Sequence, residues 1–252
     1  MENKKLSSKN SETHLLIIWS KALIEKPRIL KDIARNFEVK RVVNINWKKD
    51  DFLKNLKRFY CHSQKSLKND DFEVLLLNKM RKCGSDPFCA VIFEDYSPIY
   101  DIRKTSSGPR EVNTNIFDLK KSLRTIFNGE SLIHATDNPF ESNKDLTVLF
   151  GKNTIDHNLI YKVGQDIEEE TYKDNTLGFD GFKSLNELFY LLNNTIEYCV
   201  IRNYECFPDS YNVHGHGDID LLVEDLNYMV YLTDATPVYP ELEYRVHYNI
   251  LI

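Results

Sequence analysis

Residues 131–150 read SLIHATDNPFESNKDLTVLF, and this stretch decides how the first half of the chain is interpreted. Its start predicts a short strand that ends at His134, and the apolar spacing over 141–150 predicts a helix. A histidine at such a junction is suited to phosphoryl transfer, because neutral imidazole, with a usual pKa of ~6.5, can attack phosphorus. Asp137 and Asp145 are both within reach by sequence to fix its tautomer. The plainer alternative is a surface histidine before an ordinary helix.

Upstream of this stretch, the apolar pattern predicts strands that alternate with helices. The predicted strands lie at 14–19, 39–47, 89–94 and 131–134. The predicted helices lie at 29–37, 48–60, 71–82, 116–127 and 141–150. Residues 106–110, SSGPR, have the composition of a turn. This order of elements predicts an α+β unit over 14–151, preceded by a disordered polar leader over 1–13.

The rest of the chain predicts a linker and a second unit. Residues 152–182 are polar and acidic with little periodicity, which is typical of a linker, and the second unit is predicted over 183–252. Its first helix should start at Ser184, because Ser184 and Glu187 have capping-box spacing ahead of an apolar run. Further strands are predicted at 198–202, 218–223 and 243–252. Because the last of these is apolar and runs to the final residue, we expect the second unit to be truncated at Ile252.

Composition narrows the classes of function. The chain has 252 residues, 42% hydrophobic content and a net charge of −5, with a pI of 5.8. These values favour one large or two modest globular domains and argue against a basic surface for nucleic acid or membranes. Five cysteines without a CxxC pair, and no secretory segment, indicate a reducing, cytoplasmic setting. No apolar run is long enough to cross a bilayer.

A second chemical signal lies in residues 215–225, GHGDIDLLVED. Side chains alternate along a strand, so Asp218 and Asp220 should share one face, and two carboxylates on one face can hold Mg²⁺. In the plainer alternative, one aspartate caps the strand at a turn and the other is solvated. A transition-metal site that also uses His214 and His216 is a weaker interpretation, because the glycines make that segment a loop.

The first unit resembles nucleoside diphosphate kinase over residues 14–151. The segment ILKDIARNF is similar to the first helix of that family, and SDPFCAVIFED is similar to its central strand. The order of elements also matches the family's fold. The resemblance therefore implies a ferredoxin-like βαββαβ domain that binds nucleotides.

The same resemblance implies roles for individual residues. In the LIHATD segment, His134 corresponds to the family's catalytic histidine and Thr136 to its serine. Asp145 takes the place of the glutamate that supports the histidine. The resemblance also implies a set of residues that bind the nucleotide and its phosphates: Lys21, Tyr60, Arg103, Thr105 and Arg124.

The second unit, residues 183–252, resembles the catalytic core of the DNA polymerase beta-type nucleotidyltransferases. The resemblance rests on the Asp-x-Asp formed by Asp218 and Asp220. It is incomplete, because the Gly-Ser turn of that family is absent and the third carboxylate would have to be Glu241 or Glu243. It implies a small α/β unit with Mg²⁺ on the two aspartates.

Three functions follow from these features. The first is Mg²⁺-dependent nucleotidyl transfer at Asp218 and Asp220, from a nucleoside triphosphate to an unknown acceptor, with the first unit binding nucleotide. The second is phosphoryl transfer through a phosphohistidine at His134. The third is a catalytically inactive nucleotide-binding or assembly module. It is motivated by the missing third carboxylate and by three departures from the kinase family: Ala22, Ser131 and Ala135. Kinases of that family are commonly oligomeric, which predicts a homo-oligomer unless the additional second unit blocks that packing.

Overall fold

The computed structural model of the protein describes residues 11–64, 69–105, 108–160, 168–202, 204–209, 218–238 and 247–252. The strands are β1 Glu12–Ile18, β2 Glu38–Ile45, β3 Phe88–Asp95, β4 Tyr100–Thr105, β5 Gly108–Asn113, β6 Ile133–Ala135, β7 Glu169–Tyr172, β8 Tyr198–Arg202, β9 Asp220–Val223, β10 Thr236–Pro237 and β11 Tyr248–Asn249. The helices are α1 Lys26–Ala34, α2 Phe52–Tyr60, α3 Asn69–Cys83, α4 Thr114–Thr125, α5 Pro139–Phe150, α6 Thr154–Ile160, α7 Leu185–Asn193 and α8 Leu226–Thr233.

The main sheet has five strands in the order β6-β1-β3-β2-β7. All eight residues of β3 are buried, and six of the seven residues of β1 are buried. Such continuous burial is typical of strands that are covered on both faces, and their apolar sequences suit that environment. Ile17 in β1 pairs with Ala90 on one side and with His134 on the other. The centre of the sheet thereby fixes the position of β6.

The strand order confirms the predicted α+β class. Strand β3 lies between β1 and β2 and is antiparallel to both, while β1 lies between β3 and β6 in the same way. This is the interleaved, split βαβ arrangement of a βαββαβ chain, with α1 and α4 as the crossover helices. Helices α2 and α3 and the β4–β5 hairpin are additions to that order. Strand β7 extends the sheet, parallel to β2.

Several predicted elements are corrected by the structure. Strand β1 starts at Glu12, so the end of the predicted leader belongs to the sheet; residues 1–10 of that leader lie outside the described residues. Of the predicted turn at 106–110, residues 108–110 belong to β5, which pairs with β4, and residues 106 and 107 lie outside the described residues. The predicted strand over 218–223 starts only at Asp220.

The predicted linker also contains regular structure. Its polar segment includes α6 and β7, and β7 becomes a strand because it pairs with β2. Helix α8 is an element that the sequence patterns did not indicate. Of the predicted strand over 243–252, the described part pairs only at Tyr248–Asn249, and residues 241–246 lie outside the described residues.

The chain forms two compact units, and both are discontinuous in sequence. The described residues of the first fall within Met1–Lys49, Asn78–Leu146 and Thr154–Asp174; those of the second fall within Asp50–Leu77, Thr147–Asn153 and Asn175–Ile252. The domain boundaries taken from the sequence, at 151 and 182, stay a prediction. Within the described residues, no helix combines the length and the apolar character needed to cross a membrane.

The second unit contains the predicted capping box. Ser184 Oγ accepts a hydrogen bond from the backbone N–H of Glu187 at 3.3 Å, and the Glu187 carboxylate accepts one from the N–H of Lys183 at 2.7 Å. Helix α7 follows directly, with its leucine face buried. On α2, the fully buried Asn55 side chain accepts hydrogen bonds from the N–H and hydroxyl of Thr176 at 2.8 and 2.9 Å. These bonds tie the start of the 175–252 segment to α2.

Candidate functional site

His134 is the central residue of β6, and its side chain is 12% exposed. Its neighbours Ile133 and Ala135 are buried. Because side chains alternate along a strand, the imidazole points to the face opposite these two neighbours. The pairing of β6 with β1 holds the histidine backbone in register with Ile17. The strand therefore presents a partly accessible imidazole on a rigid element.

Asp145 on α5 is the carboxylate that contacts the histidine. Its Oδ2 atom lies 2.9 Å from His134 Nε2, and the aspartate side chain is fully buried. Sequence reasoning left Asp137 open as the partner, but the Asp137 carboxylate pairs with Lys120 instead. When Nε2 carries the proton and donates it to Asp145, the lone pair of the neutral ring is on Nδ1. The contact thus selects the tautomer that makes Nδ1 a nucleophile.

The start of α5 explains why Asp145 reaches the histidine. Asn138 Oδ1 accepts a hydrogen bond from the N–H of Glu141 at 2.9 Å, and the Glu141 carboxylate accepts one from the N–H of Asp137 at 2.8 Å. This reciprocal cap fixes the helix start. Asp145 then follows Glu141 by one helical turn, on the same face.

Lys144 is a buried cation next to this pair, and sequence reasoning missed it. Its side chain is 2% exposed, and its Nζ atom lies 3.1 Å from Oδ1 of Asp145. The carboxylate therefore has an ammonium group at one oxygen and the imidazole at the other. Lys144 thus supplies a positive charge that offsets the charge of the Asp145 carboxylate. The signal that the sequence offered for Lys144 was its position directly before Asp145.

His134, Glu141 and Asp145 also form the grouping that could hold a metal ion among the described residues. Each offers one ligand atom, and these atoms all lie within 4.8 Å of one another. An imidazole and two carboxylates are donors that Zn²⁺ or Mn²⁺ accepts. A metal at this position would use His134 as a ligand and would therefore compete with its use as a nucleophile. Glu141 was not identified from the sequence.

Arg124 lies against the backbone that leads into His134. Its Nε and Nη2 atoms donate hydrogen bonds to the Ile133 carbonyl at 3.2 and 3.0 Å. The arginine is in the last turn of α4, and Asn113 caps the start of that helix by accepting from the N–H of Asn115 at 3.0 Å. The structure thus brings the predicted phosphate-binding arginine next to the strand that carries the histidine.

Lys79 is a second cation at this position, again missed by sequence reasoning. Its Nζ atom donates a hydrogen bond to the Ser131 carbonyl at 3.0 Å. Burial lowers the pKa of Lys79; nearby Cys83 opposes this change and Arg124 adds to it. The two cations are therefore close enough to repel each other. A bound anion would relieve this repulsion.

The predicted Lys21 joins the same group. It lies in the 3₁₀ turn Ser20–Glu25 and donates a hydrogen bond to the Arg81 carbonyl at 2.7 Å. Burial raises the pKa of the Cys83 thiol, whereas Lys79 and Lys21 lower it. Both lysines thus lie near this cysteine. Three cations from separate parts of the chain gather beside the segment that precedes His134.

Other predicted residues have their partners elsewhere. Arg103 pairs with Asp101, and Thr105 donates to the Gly108 carbonyl at 2.7 Å, so both are engaged within the β4–β5 hairpin. Thr136 is buried and its hydroxyl meets His14 and the backbone of Leu15 on β1. Tyr60 lies on α2 in the second unit, with its ring edge-on to Phe59. For these residues the predicted roles stay predictions.

Asp220 of the second predicted site forms an ion pair with Arg202, the residue opposite it on β8. Asp220 raises the pKa of Arg202, and Asp218 adds to that effect, so both carboxylates lie near one guanidinium group. Because β9 starts at Asp220, strand alternation does not place Asp218 on the same face. The Arg202 guanidinium thus occupies the position beside Asp220 where a Mg²⁺ ion would have to bind. The candidates for a third carboxylate, Glu241 and Glu243, lie outside the described residues.

Similarity to known proteins is found among solved structures. No protein-family model and no curated protein matches the chain. Among solved structures, a nucleoside diphosphate kinase from Aquifex aeolicus is similar to it, with 16% sequence identity and a TM-score of 0.35. The similar region covers 58% of this chain and 99% of that kinase.

Proposed function

We propose that the protein transfers a phosphoryl group from a nucleoside triphosphate through a phosphohistidine at His134. The observation that carries the proposal is the contact between His134 Nε2 and the buried carboxylate of Asp145 at 2.9 Å. This contact favours the neutral tautomer with its lone pair on Nδ1. The substrate class comes from the resemblance of the LIHATD segment to nucleoside diphosphate kinase.

The proposed chemistry has two half-reactions. In the first, the Nδ1 lone pair attacks the γ-phosphorus, the bond to the bridging oxygen breaks, and a nucleoside diphosphate leaves. In the second, an oxygen of the acceptor attacks the phosphorus and His134 is regenerated. Asp145 holds the ring orientation through both steps. Lys144 balances the charge of that carboxylate, so the positive charge that develops on the ring meets a carboxylate already held in place.

The cations beside β6 suit the proposed substrate. Lys21, Lys79 and Arg124 come from three different elements, yet each contacts or lies close to the backbone around residues 81–83 or 131–133. Phosphoryl transfer depends on positive groups that offset the charge on the phosphate oxygens. We infer that these three side chains bind the triphosphate. Magnesium would enter with the nucleotide as part of the substrate.

Nucleotidyl transfer at Asp218 and Asp220 is the second candidate. Its support is that Asp218 and Asp220 both lie close enough to one guanidinium group to raise its pKa, so the two carboxylates lie in the same region. The same guanidinium would have to leave Asp220 before a metal ion could bind there. Phosphoryl transfer through His134 needs no such rearrangement at its aspartate, and we therefore place it first.

One experiment separates the candidates. The full chain is incubated with Mg²⁺ and ATP labelled at either the γ- or the α-phosphate, and the protein and the small products are then analysed. We expect acid-labile γ-label on the protein that is lost in His134→Ala and retained in the control His247→Ala, which removes an exposed histidine. Transfer of the α-label that is lost in Asp218→Ala, but not in the control Asp209→Ala, would instead support nucleotidyl transfer. Absence of both products would favour a binding module and refute the proposal.

A further inference from the structure

The second unit contains a cavity of about 240 Å³ between α2 and α8. Helix α2 contributes Lys54, Lys57 and Arg58 to its wall. Tyr231 and Asp234, on α8 and directly after it, line the opposite side. Among the described residues, three cations and one carboxylate thus line one space. In a chain with a net charge of −5, such a local excess of positive charge points to an anionic ligand.

Arg58 is the most buried of the three cations that line this cavity. Its side chain is 2% exposed; Nε donates a hydrogen bond to the Thr176 hydroxyl at 3.1 Å, and Nη2 donates to the Leu177 carbonyl. Among the described residues, Nη1 is buried without a hydrogen-bond partner. Leaving a buried charged donor unsatisfied is unfavourable. Because Arg58 lines the cavity, an oxyanion bound beside its guanidinium group could accept the hydrogen bond that Nη1 lacks.

The charges around Arg58 are only partly balanced. Lys54 lies 2.8 Å from the Asp234 carboxylate and also donates to the Phe179 carbonyl at 2.9 Å. Burial lowers the pKa of Arg58 to about 10, and the nearby Cys61 and Asp234 oppose that change. The Asp234 carboxylate therefore interacts with two cations of the cavity wall, Lys54 and Arg58. An additional negative group would offset the charge that remains on Lys57 and Arg58.

Lys57 is positioned to share an anion with Arg58. Its Nζ atom lies 4.5 Å from the centre of the Tyr231 ring, which borders the same cavity. The cavity is larger than one phosphate group needs, and Tyr231, Tyr248 and Val230 give it an aromatic and apolar part of the wall. This combination suits a ligand with a charged end and a small organic portion.

We propose that this cavity binds the phosphate group of a small phosphorylated ligand, and that Arg58 and Lys57 contact that phosphate group. Inorganic phosphate and a phosphate monoester share the chemistry that these residues recognise. A doubly negative group matches the two positive charges by which Lys54, Lys57 and Arg58 together exceed Asp234. The site is separate from His134 and does not depend on the function proposed there.

Calorimetric titration of the full chain with inorganic phosphate, phenyl phosphate and benzoate tests the proposal. We expect saturable binding of phenyl phosphate, weaker binding of inorganic phosphate, and little binding of the singly charged benzoate. Lys57→Gln should weaken phosphate binding about 10-fold or more, because it removes a charge-assisted contact. Lys183→Gln removes an exposed lysine of the same unit and should leave binding unchanged. Equal affinities for the two phosphates would still support an oxyanion site, without a contribution from the organic part.

Two further variants keep the test decisive. Arg58→Lys retains a cation but loses the planar group, and should also weaken binding, provided that its circular dichroism matches that of the native chain. His134→Ala should bind phosphate as the native chain does, because the cavity lies in the other unit. The proposal is overturned if no saturable binding occurs, if Lys57→Gln binds with native affinity, or if His134→Ala abolishes binding.

Discussion

Replacing Asp145 by Asn keeps the shape of the side chain and removes its charge. The hydrogen bond at 2.9 Å to His134 Nε2 would change from a charge-assisted to a neutral one, a loss of about 1–1.5 kcal/mol. If that difference appears in the transition state, the rate of phosphohistidine formation falls at least about 5-fold. A flipped amide would place the proton on Nδ1 and reduce the rate further.

The same substitution has a second, larger effect on stability. Lys144 is 2% exposed and pairs with Asp145 at 3.1 Å, so Asp145→Asn leaves a buried ammonium group without its partner charge. Removing one member of a buried ion pair costs about 3–5 kcal/mol. Replacing Lys144 by Met in the Asp145→Asn background should recover most of this loss in the free energy of unfolding. It should not recover the rate, because the orienting charge is still absent.

Urea unfolding and single-turnover labelling with γ-labelled ATP measure the two effects on the same samples. The double variant serves as the control for general damage to the fold. If Asp145→Asn forms phosphohistidine at the native rate while His134→Ala is inactive, Asp145 does not orient the nucleophile. If Asp145→Asn is as stable as the native chain, the inference that Asp145 balances the buried charge of Lys144 is wrong.

Three further predictions concern other parts of the chain. Lys79→Met should slow labelling of the protein about 10-fold in the single-turnover assay, because a cation beside the phosphate is lost, whereas Lys82→Met at an exposed position should not. Of the five cysteines, the exposed Cys199 and Cys206 should react rapidly with a chromogenic thiol reagent, and the three buried ones should react only on unfolding. More than two rapidly reacting thiols in the folded protein would contradict the burial of those three side chains. Burial tends to raise the pKa of Glu12, but hydrogen bonds from its neighbours hold that pKa below the usual 4.5. The charged carboxylate therefore stabilises the fold fully above pH 4.5. This contribution is lost as the pH falls through the lowered pKa of the folded state. Urea unfolding of Glu12→Gln should therefore show a shallower loss of stability in acid than the native chain, and an unchanged acid profile would contradict this.

The sequence predicted the elements whose cause is local. The apolar runs of β1 and β3 and the capping box before α7 carry their own signals, and the structure contains all three. Strand β7, EETY, has no such signal and forms because β2 offers an edge for pairing. Of the β4–β5 hairpin, the sequence predicted only the turn over 106–110, because YDIRKT is mostly polar and contains no apolar run. Periodicity cannot report pairing that depends on distant residues.

In the candidate site, too, the sequence predicted the contact that depends on local spacing and missed those that depend on the tertiary fold. The helical spacing after Pro139 brought Asp145 within reach of His134, and the structure has that contact. Lys144 and Lys79 were missed because a lysine is normally read as a surface residue, and burial is decided by the tertiary fold. For Asp218, the same-face prediction depended on a strand start that the structure places two residues later.

The central claim is that His134 carries the phosphoryl group. The most direct measurement digests γ-labelled protein under alkaline conditions and maps the labelled peptide by mass spectrometry. We expect a base-stable, acid-labile phosphate on His134, which is discharged when a nucleoside diphosphate is added. A label on any other residue, or a phosphohistidine that an added diphosphate does not discharge, would contradict it.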